Sequence, residues 1–215
     1  MQVPYRWITK HSSIEDAVAS AGWQRLNELR KRITRLQVEA HFVSEDIEYL
    51  RSLQHAVESP NHAFCPNLRQ LDVYYDKRLP CKYDFLTGGS LRQFKLHWDP
   101  RDVKKHEGVF EGALNTVALL SPMVQQLEVP RLNSSFIDYG KFAKLRILDH
   151  SGDFSAKSWI QLCAECPLLE NVKIGWTRNK LADERAIIAL GPQMQELPAL
   201  HVLHITSIYD GEFNP

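Results

Sequence analysis

The chain of 215 residues has no apolar run approaching the ~18 residues that would cross a bilayer. Its first ten residues set Arg6 and Lys10 among short apolar groups, with no signal core. These absences argue against a membrane span and against secretion, so cytosol or nucleus is the expected compartment. Charge of one sign is also missing. Lys+Arg and Asp+Glu both number 26, which removes the global attraction that nucleic acid or an anionic membrane would exploit. Cysteine is sparse, and without a secretory signal Cys65, Cys81, Cys163 and Cys166 read as buried thiols rather than a disulfide framework. The Asn133-Ser134-Ser135 sequon is incidental in that setting.

Complete catalytic and cofactor signatures are lacking too. Asp149-His150-Ser151-Gly152-Asp153 gathers hydrolase residue types, yet Asp149 and Asp153 stand where a nucleophile elbow needs glycine. Cys163 and Cys166 have zinc or redox spacing, but Cys65 and Cys81 do not form a matching second pair, and buried thiols are the simpler account. His201 and His204, three apart on a strand, face opposite sides of a sheet and make poor joint ligands. Gly88-Gly89-Ser90 precedes a strand rather than a helix, which is turn context and not phosphate-loop context. Arg30-Lys31-Arg32 with Arg35 is the densest basic cluster and reads as a solvated face. No cofactor, metal or nucleic acid is expected.

What is present is a repeat. The frame apolar-x-x-apolar-x-apolar occurs at Ile33-Leu36-Val38, Leu68-Leu71-Val73, Leu91-Phe94-Leu96, Val124-Leu127-Val129, Leu145-Leu148-His150, Leu169-Val172-Ile174 and Leu200-Leu203-Ile205, broken only at His150. The first positions lie 35, 23, 33, 21, 24 and 31 residues apart, scattered around the ~20 to 29 of leucine-rich repeats. Between frames the apolar period lengthens from two to helical spacing. Stripes predict helices over 46–58 (Ile47, Leu50, Leu53, Val57), 109–120 (Phe110, Ala113, Leu114, Val117), 156–166 (Trp159, Ile160, Cys163) and 182–197 (Ile187, Leu190, Met194, Leu197). The intervals 73–91 and 129–145 read mostly as loop.

The expected fold class is therefore α/β: a leucine-rich-repeat solenoid of the ribonuclease-inhibitor kind, with short parallel strands on the concave face and helices and loops on the convex face. Residues 1–32 form an N-terminal helical cap, opened by a capping box of Ser12 and Glu15, and residues 33–215 carry about seven repeats with an uncapped C-terminal end. That last feature is what a truncated array would show.

The phrases Cys65-Pro66-Asn67-Leu68-Arg69-Gln70-Leu71-Asp72-Val73 and Cys166-Pro167-Leu168-Leu169-Glu170-Asn171-Val172-Lys173-Ile174 resemble the Cys-Pro-x-Leu-x-x-Leu-x-Leu units of F-box leucine-rich-repeat proteins. Trp23-Gln24-Arg25-Leu26 followed by Lys31-Arg32-Ile33-Thr34-Arg35-Leu36 looks like the lead-in to the repeats of fungal F-box-like proteins. The resemblance covers about residues 23 to 205 and implies a receptor whose repeats hold a ubiquitin-ligase substrate. No Leu-Pro-x-Glu opening precedes Trp23, so docking on a ligase adaptor does not carry over.

Alternation within each frame aims the intervening residues at the concave face. The central column runs Gln37, Asp72, Lys95, Glu128, Asp149, Lys173 and His204, with Tyr74 and His97 beside it and Tyr75, Trp98 and Trp176 just beyond. Aromatics amid mixed charge suit a protein partner. The functional expectation is thus a monomeric, non-catalytic module binding another protein through Asp72, Tyr74, Lys95, His97, Trp98, Glu128, Asp149, Lys173, Trp176 and His204. The alternatives are a small hydrolase or thiol enzyme using the 149–153 or 163–166 group, or a truncated structural fragment.

Overall fold

A computed structural model describes residues 13–38, 49, 51–53, 55–56, 63–74, 86–97, 103–129, 137–177 and 197–208. Among them, every one of the seven apolar frames forms a strand. These are β1 (Arg35–Val38), β2 (Gln70–Tyr74), β3 (Gln93–His97), β4 (Gln126–Val129), β5 (Ile147–Asp153), β6 (Asn171–Thr177) and β7 (Val202–Ile208). They build a single sheet in chain order, β1 to β7, with each neighbouring pair parallel. The frames align without slippage: Leu36, Leu71, Phe94, Leu127, Leu148, Val172 and Leu203 are register partners in succession.

One apparatus recurs at the start of each strand. The first frame residue donates its N–H to the carbonyl three residues back, in turns closing Arg30 to Ile33, Cys65 to Leu68, Gly88 to Leu91, Ser121 to Val124, Phe142 to Leu145, Cys166 to Leu169 and Leu197 to Leu200. Pro66, Pro122, Pro167 and Pro198 take the second turn position, where a fixed φ is already correct. The first position is buried in six units, as Arg30, Cys65, Ser121, Phe142, Cys166 and Leu197. At Gly88 a Cβ would lie 2.7 Å from the Cβ of Ala63, which leaves glycine as the residue that fits. After each turn one carbonyl receives two successive N–H groups from the next unit: Thr34 from Arg69 and Gln70, Arg69 from Arg92 and Gln93, and so on through Glu170 to His201 and Val202. The seam accounts for the backbone groups at the strand starts and locks unit to unit.

The helices are α1 (Ile14–Ala19), α2 (Ala21–Arg30), α3 (Val103–Leu120) and α4 (Ala156–Glu165), with a 3-10 turn at Tyr139–Phe142. The N-terminal part is two helices, not one. The cap of α1 is Ser13, accepting from the Asp16 N–H, rather than Ser12, and Ser20 caps α2 by accepting from the Trp23 N–H. Helix α3 begins at Val103, about two turns before the Phe110 stripe. Residues 49, 51–53 and 55–56 are helical, with Leu53 buried, whereas Ile47, Leu50, Val57 and the stripe before Leu197 lie outside the described residues.

Parallel strands in sequential order are joined by crossovers, and the described parts of these, α3, α4 and the 3-10 turn, contribute to one core. Burial follows. The inward frame residues Leu71, Val73, Phe94, Leu96, Leu127, Val129, Leu148 and Val172 are buried in one core with Phe110, Leu114, Val117, Trp159 and Leu162. Each such aliphatic side chain contributes roughly 1.5 to 3 kcal/mol by leaving water. Parallel sheets ordinarily bury both faces. Among the described residues the opposite face carries mostly polar side chains, half-buried or exposed apart from Asp72.

Candidate functional site

The open face places the expected column side by side in register: Gln37, Asp72, Lys95, Glu128, Asp149, Lys173 and His204. Its charges are organised as pairs. Lys95 Nζ lies 2.8 Å from Glu128, and Lys173 Nζ donates to Asp149 over 2.8 Å. The hydrogen bond from Lys95 to Glu128 is the main reason the ammonium holds its proton above the usual lysine range. The four central strands therefore present Lys, Glu, Asp, Lys. Two carboxylates stand directly opposite each other at Glu128 and Asp149, a destabilising juxtaposition offset by the lysine on each flank.

Asp72 differs from the other members. It sits on this face but is buried, accepting from Gln70 Nε2 at 3.1 Å and from the mostly exposed Arg35 at 3.3 Å. It is a foundation for its neighbours rather than a contact point. Gln70, Gln93 and Gln126 form an adjacent amide row in register. Tyr74 stacks on His97 with ring centroids 4.4 Å apart and planes 17° apart, giving the face a flat aromatic block beside the charges. His204 is exposed on β7, and Trp176 takes its place in the backbone of β6 opposite Ser207. Trp98, Tyr75 and Cys81 lie outside the described residues.

The hydrolase residue types are separated by strand alternation. His150 points into the core, while Asp149 and Ser151 stand on the open face. His150 Nδ1 is 3.0 Å from the Tyr139 hydroxyl, and its ring meets Phe154 edge-on at 5.2 Å. The polar exception in the fifth frame is thus a core residue with a buried partner. Cys163 and Cys166 are buried thiols on and after α4, and Cys166 Sγ donates toward the Tyr139 carbonyl at 3.4 Å. Burial pushes the Cys166 thiol up to about 12, opposite to what a nucleophilic thiolate needs. Among the described residues no cluster of three or more metal-ligating side chains occurs, and no helix is long and apolar enough to cross a membrane.

The His150 arrangement gives a clean test. Tyr139→Phe leaves the imidazole Nδ1 without that hydroxyl and should cost about 1 to 3 kcal/mol, whereas adding His150→Leu removes both polar ends and should recover much of the loss. Chemical denaturation of the two single variants and the double gives the coupling; additive losses would show that the hydroxyl–imidazole bond carries none.

The class so defined is an α/β chain with one open sheet of seven parallel strands and helices. No family model matches the chain, and no curated protein matches it either.

Proposed function

We propose that the chain is a leucine-rich-repeat solenoid acting as a non-catalytic protein-binding module, with the open sheet face as its docking surface. One observation carries this reading: on the sheet face away from the core, the described residues hold an ordered Lys-Glu-Asp-Lys row beside the Tyr74–His97 stack, with these side chains half-buried or exposed. The solenoid geometry is supported by strict strand order and by the same turn and seam at every unit. Prepaired charges with little freedom suit recognition, since they steer a complementary partner and repel others. The Cys-Pro-x-Leu units add support for a receptor role in which the bound protein is a ubiquitin-ligase substrate. Its setting would be the cytosol or nucleus.

The test exchanges each pair internally: Lys95→Glu with Glu128→Lys, and Asp149→Lys with Lys173→Glu. Both ion pairs are retained with their signs exchanged, and since a carboxylate at position 95 then stands opposite Asp72, a stability loss of about 1 kcal/mol is expected while the surface pattern is inverted. A partner captured from extract and identified by mass spectrometry should bind the exchanged chain at least about tenfold more weakly, which is about 1.4 kcal/mol. Equal affinity for both chains would remove the open face as the docking surface.

A further inference from the structure

At the strand-start rim of the first three units lies a groove of about 520 Å³, lined by Lys31, Arg32, Thr34, Asn67, Arg69, Ser90 and Arg92. Four of these are cations and none is an acid. Their sources are distant in sequence. Lys31 and Arg32 follow α2, while Arg69 and Arg92 each supply the seam residue of the next two units, adjacent because neighbouring strands are about 4.8 Å apart. The walls are tied together: Asn67 Nδ2 donates to the Lys31 carbonyl at 2.7 Å, and Arg92 Nη1 donates to the carbonyls of Gly89 at 2.9 Å and Leu91 at 3.0 Å.

What sets the groove apart is incomplete neutralisation, since among the described residues Glu28 alone faces Lys31 and Arg32. Elsewhere on this sheet and rim the cations meet acids: Arg35 with Asp72, Lys95 with Glu128, Arg146 with Glu170 and Lys173 with Asp149. Within the groove, Lys31 pairs with Glu28 at 2.9 Å, across two exposed side chains. Arg32 and Arg69 are exposed and make no side-chain hydrogen bond or ion pair among the described residues. In a chain with equal numbers of acids and bases, this is a local concentration of positive charge. It opposes folding through self-repulsion and is relieved by an anion.

We infer that this rim groove is a binding site for a phosphoryl group. Guanidinium groups offer paired donors matched to a tetrahedral oxyanion, the lysine adds a point charge, and Thr34, Asn67 and Ser90 add neutral polar groups. A single carboxylate carries one charge against the three guanidinium groups left beside the Lys31–Glu28 pair. A nucleic-acid strand would need a continuing basic track and stacking aromatics, whereas the next seam residue is Gln125, the following Arg146 is paired, and among the described residues no aromatic side chain lines the groove. A phosphorylated side chain of a peptide and a small polyphosphate present the same chemistry.

The test titrates the full chain with four fluorescent or calorimetric probes: inorganic tripolyphosphate, a degenerate phosphoserine peptide pool, the same pool unphosphorylated, and oligothymidylate. Tripolyphosphate or the phosphoserine pool should bind, more weakly at higher salt, and whichever binds assigns the source. Arg32→Gln with Arg69→Gln should weaken that binding at least about tenfold. Both side chains are exposed, so an unchanged thermal melt will confirm folding. The exchange of Lys95 and Glu128 on the open face should leave it unaltered, which keeps this site's outcome separate from that of the docking surface. Failure of both phosphoryl probes, unaltered affinity in the arginine variant, or oligothymidylate binding as tight as the phosphoserine pool would each overturn the inference.

Discussion

Raising the pH from about 8 to about 11 should destabilise the fold by about 6 kcal/mol, with about half of that loss removed by Cys166→Ala. Burial pushes the thiols of Cys65 and Cys166 from the ordinary 9.0 up to about 12. For Cys65 the nearby Arg30 guanidinium pulls weakly the other way, and for Cys166 Glu165 and Cys163 push further in the same direction. The sign follows from proton binding. Below pH 9 both states hold their thiol protons and nothing changes. Above it the unfolded chain ionises while the folded chain does not, so the unfolded state gains about 1.4 kcal/mol per pH unit per thiol. That gain stops only when the folded thiols ionise near pH 12.

At about pH 11 each thiol thus accounts for about 3 kcal/mol, against a total stability on the order of 5 to 15 kcal/mol. Tyr139, fully buried, has its phenol held well above the usual value by desolvation and steepens the loss above pH 10. Denaturant titrations across the range measure the slope, and alkylation of the thiols should track unfolding rather than pH alone. A flat stability from pH 8 to 11 would mean that the thiols reach water in the folded chain.

The strands were the legible part of this molecule because their period of two repeats in seven frames, and alternation alone sorted His150 inward from Asp149 and Ser151 outward. The charged column is likewise a direct consequence of register. What alternation does not carry is lateral reach. Asp72 occupies an outward position yet is buried, because Arg35 and Gln70 extend across it from the same face. The start of α1 slipped by one residue because Ser12 and Ser13 are equally good caps by type. Arg69 and Arg92 are each isolated in sequence, and only the seam column, one position before each strand, aligns them with Thr34. The basic cluster divides, with Lys31, Arg32 and Arg35 exposed and Arg30 only 1% exposed, a correction to the reading of all four as a solvated face.

Arg30→Ala should cost about 3 to 5 kcal/mol, among the largest single losses open to this chain. The side chain ends α2 and fills the turn position held by Cys65, Ser121, Phe142, Cys166 and Leu197 in other units. Its Nη1 donates to the Phe64 carbonyl at 2.7 Å and its Nε to Asn27 Oδ1 at 2.7 Å, and the guanidinium lies 5.6 Å from the centroid of the Phe64 ring. Phe64 in turn leans on Trp23 at 6.5 Å, so one side chain joins α2 to the turn that opens β2. Alanine removes the volume, the ring contact and the donor to a buried carbonyl together. Arg30→Met keeps the volume and discards a buried charge, so it should cost about 2 kcal/mol less. Arg30→Lys keeps the charge but lacks the planar fork that spans both acceptors, and should fall between them. Denaturation of the three variants gives the order, and a loss below about 1 kcal/mol for alanine would show that the cap is held by other contacts. The consequence reaches the rim. Because Lys31 and Arg32 follow directly on Arg30 and the Lys31 carbonyl is bonded to Asn67, loosening this joint displaces one wall of the basic groove. Arg30→Ala should therefore weaken phosphoryl binding without Arg30 lining the site, while Arg30→Met should largely preserve it.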